Sequence, residues 1–397
     1  MHIAVVCPFP PFDGVPHAGG AFLHAYLTYL ADNHKVDLIC TAEPDPRTFS
    51  TYDGSMGVHF SPPLTDGGTS RLRLQARTVT GFNIRAPEVD GLVSDPIARG
   101  VLAAADVVDI QWAELLRALP PLRRDRGSKP IVVTEHDLFA RGLVRLARAQ
   151  SGAVELIPFR KRVFAPLAIF TETYFLAKAD LVQLFNRDDI ALLRRYGLRR
   201  PCAVLDPLID PSPEVLISER SKKVIFAAAF SRGPNAEGAT WFLSKVWPSV
   251  VRSVPEATVV LAGSGSADVL AACPAPGASA TGYLPDLKPA YAGCAVAVAP
   301  LRRGAGLKFK VPQALAYGLP MVTTGVGVEG MPPACPAVVA DSALEMAYQV
   351  ASLLKSPDRA RALGAAGRDW VANAFDFSRS MERVERRFDA LARGVGL

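Results

Sequence analysis

The residues best suited to chemistry lie in a bend that follows an apolar run near residue 300. Gly304 and Gly306 flank Ala305, and Lys308 and Lys310 come soon after them. Glycines let a backbone turn tightly and approach a ligand closely, and the lysines supply positive charge. The pattern indicates a site for a phosphate or a similar anion.

A strand and a helix must position this bend. The apolar run Cys294–Ala299 is typical of a buried strand, Phe309–Tyr317 of a helix, and Met321–Thr324 of a second strand. Strand, glycine turn, helix and strand in this order form a parallel unit. The start of its helix offers unpaired N–H groups to an anion. The alternative is an ordinary unit of this kind with two solvated lysines.

Size and composition favour a globular protein of two domains. The 397 residues exceed what one core usually organises, and 49% hydrophobic with 21% charged residues is an ordinary composition. The net charge of +6 suits anionic small molecules, acidic membranes or nucleic acid. We find no nucleic-acid-binding motif in the sequence.

Cysteine usage and hydropathy favour a cytoplasmic protein. None of the six cysteines forms a CxxC pair, so they fit reduced core residues better than a disulfide framework or a zinc site. No run reaches the roughly 18 apolar residues that a membrane span needs. The first apolar segment is too short and too interrupted by prolines for a signal peptide.

The chain opens as a doubly wound sheet does. A strand at His2–Cys7 leads into a loop that ends with Gly19 and Gly20, followed by a helix at Ala21–Asn33 and a strand at Val36–Cys40. Adjacent glycines allow a ligand to approach the backbone, and a structural turn is the alternative.

Polar residues also follow a middle strand of the first half. The strand Pro130–Thr134 is followed by His136 and Asp137. Ligands of open α/β sheets gather at the carboxyl ends of strands, so His136 is a candidate ligand contact. The other interpretation is a plain loop histidine.

A proline-rich segment, Asp206–Lys223, marks a linker, after which the α/β pattern restarts. We therefore predict an N-terminal domain at 1–210, a second domain at 211–376 and a C-terminal helix at 377–397. A cleft between two domains is the usual place for a ligand.

The second half resembles the C-terminal domain of family-4 (group 1) glycosyltransferases. The resemblance rests on seven segments in the right order and spacing: Phe230–Asn235, Leu261–Gly263, Gly282–Leu287, Ala299–Arg302, Gln313–Pro320, Gly327–Gly330 and Gly367–Phe377. The first half matches more loosely, through Gly19-Gly20 and His136-Asp137.

The resemblance implies the α/β fold called GT-B, with two Rossmann-like domains facing a cleft and the last helix crossing back to the first domain. It implies transfer of a sugar from a UDP- or GDP-sugar to a glycan, lipid-linked or small-molecule acceptor, with retention of configuration. No metal or other cofactor is expected, since no DxD-type pair lies near the bend. The basic stretch Arg141–Arg162 suggests peripheral contact with the inner face of the membrane, or else a solvated helix.

The resemblance also assigns roles to individual residues. His136, Asp137 and Lys308 are the expected catalytic residues. The expected donor-binding residues are Gly19, Gly20, Arg232, Leu284, Gly304, Ala305, Gly306, Lys310, Gln313 and Glu329. Arg232 as a surface loop residue and Glu329 as a cap remain open alternatives.

The chain departs from the family at two positions. Ala305 and Gln313 stand where many relatives carry the two glutamates of an E-x7-E pattern. A glutamine carbonyl still accepts a hydrogen bond from a ribose hydroxyl, but without assistance from charge. The departure leaves open a non-catalytic sugar-nucleotide-binding or scaffold protein. An oxidoreductase reading of Gly263–Gly265 is weak because the third glycine of that motif is missing.

Overall fold

The structure is a computed structural model that describes residues 1–15, 18–64, 86–138, 141, 157–209, 221–304 and 306–396. Ala305, residues 210–220 of the predicted linker and residues 142–156 of the arginine-rich stretch lie outside the described residues. The chain divides into two units. The first consists mainly of Met1–Val15, Gly19–Asp206 and Phe377–Leu397, and the second mainly of Pro207–Asp376.

The first unit is built on a parallel sheet in the order β3-β2-β1-β4-β5-β6-β7. Its strands are β1 His2–Cys7, β2 Lys35–Cys40, β3 Gly57–Phe60, β4 Val107–Gln111, β5 Ile131–Glu135, β6 Leu181–Leu184 and β7 Cys202–Val204. The described helices are α1 Ala18–Asn33, α2 Pro46–Thr51, α3 Ala86–Ser94, α4 Pro96–Ala104, a 3₁₀ segment Ala113–Ala118, α5 Leu119–Arg126, α6 Ile157–Leu176 and α7 Arg187–Arg195.

The second unit carries a parallel sheet in the order β10-β9-β8-β11-β12-β13. Its strands are β8 Lys223–Ala227, β9 Thr258–Ala262, β10 Ala278–Ala280, β11 Val296–Ala299, β12 Met321–Thr323 and β13 Val338–Val339. Its described helices are α8 Gly233–Trp241, a π-helical turn Phe242–Val246, α9 Trp247–Ser253, α10 Ser266–Ala272, α11 Lys288–Tyr291, α12 Lys310–Ala316, α13 Gly325–Val328, α14 Ala343–Lys355 and α15 Pro357–Ala374.

Both sheets follow the Rossmann strand order, in which the chain starts in the middle, moves to one edge and then crosses to the other. Central strands such as β4 and β5 are buried along their whole length. Parallel sheets are covered by helices on both faces, which is why these strands read as apolar runs.

The last helix, α16 Phe377–Ala392, belongs to the first unit. Its buried face includes Met381, Val384 and Phe388, spaced as one side of a helix. Glu385 accepts hydrogen bonds from the Tyr29 hydroxyl at 3.4 Å and the Asn33 amide at 3.2 Å. Packing and polar contacts together fix the helix on this unit.

The predicted strands of the sheet centres are present, whereas three short edge strands were missed. β3, β10 and β13 contain two to four residues each, too few to show a hydrophobic period. The start of α1 was also placed too late, because the helix begins at Ala18. Gly19 and Gly20 therefore lie in its first turn rather than in a loop. None of the described helices is both long and apolar enough to cross a lipid bilayer.

Candidate functional site

The glycine bend leaves the carboxyl end of β11 and ends at the start of α12. Gly304 has φ 140° and Gly306 has φ 67°, conformations that side chains rarely allow. A Cβ on Gly304 would lie 3.2 Å from Cε of Lys308. Lys308 is only 8% exposed, and its ammonium donates to the Gly306 carbonyl. The glycines therefore make the space in which Lys308 folds over its own bend.

Lys310 approaches the same region from the first residue of α12. Its Nζ donates to Oδ1 of Asn235 at 2.8 Å. The Asn235 amide nitrogen donates to the Ala229 carbonyl at 2.8 Å, which turns the amide oxygen toward the lysine. Desolvation, aided by the charges of Lys308 and Arg232, lowers the pKa of Lys310 from 10.5 to about 7. An anion bound beside Lys310 would favour the charged form of the side chain and so raise its pKa.

Three arginines lie on the bend or at the start of α8. Arg232 is exposed and precedes α8 as its N-cap residue. Arg303 forms an ion pair with Glu237 of α8, and the Arg302 guanidinium lies 5.0 Å from the Trp241 ring centroid. The two arginines of the bend thus contact α8.

The other predicted donor-binding residues of the second unit lie nearby in sequence or at other strand ends. Gln313 is partly buried one turn into α12. Glu329 follows α13 directly, after β12. Leu284 is partly buried and packs against an apolar cluster that includes Val311, Ala314 and Leu315 of α12. The predicted residue Ala305 lies outside the described part of the chain.

His136 follows β5 in the first unit and is 8% exposed. Its ring is stacked on the indole of Trp112, with centroids 3.5 Å apart and planes 2° apart. Trp112 directly follows β4 and has φ 74°, an unfavourable value for a bulky residue. His136 Nε2 also lies 3.0 Å from Oε1 of Gln111, the last residue of β4.

A buried carboxylate lies behind this histidine. Asp109 of β4 accepts hydrogen bonds from Tyr26 Oη at 2.7 Å, Gln111 Nε2 at 2.6 Å and Thr134 Oγ1 at 2.9 Å. Gln183 of β6 donates in turn to Thr134 Oγ1 at 3.2 Å. Burial raises the pKa of Asp109 to about 6, against the lowering effect of its three donors. Its carboxyl group is therefore ionised above that pH.

The remaining predicted residues of the first unit are less enclosed. Asp137 is exposed, and Gly20 is buried in the first turn of α1 beside Gly19. The structure places His136 and Asp137 together after β5, whereas Lys308 belongs to the second unit. Within the described ranges, no group of three or more His, Cys, Asp and Glu side chains is arranged to hold a metal ion.

Sequence reasoning missed Asn235 as the partner of Lys310, and the residues behind His136. For Asp109 and Gln111 a signal existed, since two polar residues two apart in an otherwise apolar strand share one face. For Asn235 no signal existed, because its amide orientation depends on the Ala229 carbonyl.

Several solved structures share the fold of this chain. Sucrose-phosphate synthase from Thermosynechococcus elongatus has a TM-score of 0.73 and 15% identity over 99% of both chains. Anabaena HepE, solved with UDP and glucose, has a TM-score of 0.67 and 14% identity over 98% of this chain and 100% of its own. S. aureus TarM, solved as a mutant with fondaparinux, α-GlcNAc-glycerol and UDP, has a TM-score of 0.66 and 8% identity over 98% and 99%. No curated protein sequence matches the chain.

These likenesses confirm the predicted fold class, which is the α/β GT-B fold with two Rossmann-like domains. Residues 221–356 match the family model described as "Glycosyl transferases group 1". The predicted resemblance is therefore confirmed, and the matched segment contains the bend and both lysines.

The depressed pKa of Lys310 is directly measurable. In NMR spectra of protein with isotope-labelled lysine side chains, we expect one lysine to titrate with a midpoint near pH 7, because its ammonium is poorly solvated. The Lys310→Met variant should lack this signal and keep the others. The account of the site is wrong if every lysine stays protonated up to the ordinary range near 10.5.

Proposed function

We propose that this protein is a glycosyltransferase that moves a sugar from a UDP- or GDP-sugar to a glycan, lipid-linked or small-molecule acceptor, with retention of configuration. The observation that carries the proposal is the pair Lys308 and Lys310 on a bend made by Gly304 and Gly306. The bend lies within the segment that matches the group 1 glycosyltransferases.

The proposed reaction breaks the bond between the anomeric carbon and the diphosphate oxygen. Negative charge then grows on the leaving diphosphate. Cations that are already in place stabilise this charge more in the transition state than in the ground state. Lys308 and Lys310 supply them here, with Arg232 close enough to lower the Lys310 pKa. The proposal needs no metal ion to neutralise the diphosphate.

Lys310 also makes diphosphate binding depend on pH. In the free protein its pKa is about 7, and a bound anion favours the charged form and so raises that pKa. Binding therefore takes up a proton whenever Lys310 is neutral beforehand. The affinity should be highest below pH 7 and fall as the pH rises above it.

Gln313 and Glu329 are the proposed contacts for the nucleoside and the transferred sugar. Gln313 offers an amide oxygen one turn into α12, where it can accept from a ribose hydroxyl. HepE has been solved with UDP-glucose, which supports a nucleotide sugar as the donor. In the first unit, His136 and Asp137 are the proposed contacts to the sugar and the acceptor, with Gly19 and Gly20 contributing backbone N–H groups from the first turn of α1.

A binding protein without transferase activity is the second candidate. Gln313 in place of a glutamate favours it, because a neutral acceptor holds a ribose less strongly than a carboxylate does. Turnover of donor separates the two candidates.

We also propose peripheral contact with an anionic membrane surface on the cytoplasmic side. Leu167, Phe170 and Tyr174 are 47%, 65% and 49% exposed and lie on one face of α6 at i, i+3 and i+7. Lys178 lies with Nζ 4.9 Å from the Tyr174 ring centroid, and the sequence of α6 carries three consecutive basic residues at 160–162. Exposed aromatics beside basic residues suit the headgroup region of anionic lipids.

Turnover is the direct test of the transferase. Purified protein is incubated with UDP-, GDP-, ADP- and TDP-sugars and a panel of hydroxyl acceptors, and release of nucleoside diphosphate is followed. We expect release from at least one UDP- or GDP-sugar. Binding of a nucleotide sugar with no release under any condition would support the binding protein instead.

The Lys308→Ala variant tests the anion site. We expect it to weaken UDP or GDP binding about 10- to 100-fold in calorimetry, since a charge-assisted hydrogen bond contributes on that order. Lys245→Ala is the matched control, because Lys245 is an exposed lysine on the π-helical turn of the same unit. Equal affinities of the two variants would remove the bend from the site.

Vesicle sedimentation tests the membrane contact. We expect the protein to sediment with phosphatidylglycerol vesicles and the Phe170→Ser/Tyr174→Ser double variant to lose most of that binding. The control is Leu344→Ser/Tyr348→Ser on α14, whose side chains are 79% and 68% exposed. If both double variants bind as wild type does, α6 is not the contact.

A further inference from the structure

Above about pH 6, where Asp109 is ionised, the hydrogen bonds around it have only one possible direction. An ionised carboxylate accepts and never donates, so Tyr26 and Thr134 must turn their hydroxyl protons toward it. The Gln111 amide must likewise present its NH₂ group to Asp109. Burial raises the pKa of Tyr26 well above its ordinary value, which keeps this phenol a donor.

The orientation of the Gln111 amide in turn determines which nitrogen of His136 carries the proton. With its NH₂ group on Asp109, Gln111 has only its carbonyl oxygen to offer His136. A carbonyl accepts, so the His136 nitrogen 3.0 Å away, Nε2, must carry the proton. In the neutral ring the lone pair is then on Nδ1. The buried carboxylate of Asp109, two residues before Gln111 on β4, thus determines the tautomer of the histidine that follows β5.

Trp112 fixes the same ring in a second way. Its indole lies parallel to the imidazole at 3.5 Å, and Phe9 packs against the indole with ring centroids 4.6 Å apart. The unfavourable φ of 74° at Trp112 is held by a hydrogen bond from its backbone N–H to the Thr134 carbonyl at 3.0 Å. Such strain persists only where the surroundings determine the conformation, and it is common at functional sites.

We propose that Gln111 is a positioning residue that, held by Asp109, fixes His136 as the Nε2–H tautomer and so makes the ring a hydrogen-bond acceptor through Nδ1. Resting on the proposed function, this gives a direction to the contact already proposed between His136 and the sugar or acceptor, in which Nδ1, a buried nitrogen, accepts. A hydroxyl can donate to Nδ1, whereas a phosphate oxygen cannot. The diphosphate is left to the lysines of the second unit.

The tautomer is observable without any assay of activity. Long-range ¹H–¹⁵N spectra of the full chain with labelled histidine, recorded near pH 8, distinguish Nε2–H, Nδ1–H and doubly protonated rings. We expect His136 of the wild-type protein to be the Nε2–H form alone. Observation of the Nδ1–H form or of the doubly protonated ring would overturn the proposal. Since this arm uses the wild-type protein, it does not depend on a variant that folds.

Two methionine variants then separate positioning from general loss of structure. Gln111→Met removes the amide that faces His136. Gln183→Met makes the same change at an equally buried glutamine of β6, which bonds Thr134 and not His136. We expect a mixture of tautomers in Gln111→Met and the wild-type tautomer in Gln183→Met. A tautomer that is unchanged in Gln111→Met, or equally changed in both, would contradict the positioning role.

The kinetic arm tests the link to transfer. We expect Gln111→Met to lower kcat about tenfold, the size of one lost hydrogen bond, with UDP or GDP affinity unchanged because the lysines are intact. An unchanged kcat would contradict the claim that the tautomer of His136 affects the reaction. If the wild-type protein shows no turnover at all, the proposed function fails, while the NMR result on Gln111 and His136 still stands or falls by itself.

Discussion

The candidate site of the second unit depends on two lysines, Lys308 and Lys310, that are held close together with little exposure to solvent. Within the described part of the chain, Lys310 forms no ion pair, and its hydrogen-bond partner is the neutral oxygen of Asn235. A desolvated ammonium without a carboxylate is costly, and the cost is visible as the lowered pKa. Folding of the core does not require such an arrangement. It is useful when the missing negative charge arrives with a ligand.

The first unit solves the opposite problem. There a buried carboxylate, Asp109, is surrounded by three neutral donors, and no cation is needed to keep it ionised above its raised pKa. Lys310 is a cation whose hydrogen-bond partner is neutral, and Asp109 is an anion that accepts from three neutral donors. The first suits binding of a charged ligand, whereas the second suits precise orientation of a neutral one. The two sites differ in this way because their side chains carry opposite charges.

The fold class was predictable from the sequence because both sheets show the same pattern of apolar strands that alternate with helices. Long apolar strands such as β4 and β9, with helices between them, gave the parallel order and the glycine bend after β11. Short edge strands were not predictable, since two or three residues such as Val338–Val339 have no measurable period. The onset of α1 was misplaced because two glycines suggest a loop, although the first turn of a helix tolerates them.

The sequence indicated which residues are candidates for the sites, but it did not indicate their contacts. His136 directly follows β5, and Lys308 and Lys310 follow β11 through the glycine bend, so the apolar strands in the sequence are enough to find them. Asn235 lies 75 positions from its partner Lys310, and Gln111 lies 25 positions from its partner His136. Those contacts exist only after the sheets have formed. The sequence around a polar residue does not indicate which distant residue it will contact.

A crystal structure of the protein with a bound nucleoside diphosphate would test the central claim most directly. The account predicts that the terminal phosphate lies at the bend between Gly304 and Gly306, within hydrogen-bond distance of Nζ of Lys308 and Lys310. A nucleotide bound in the second unit with its phosphates away from both lysines would contradict it.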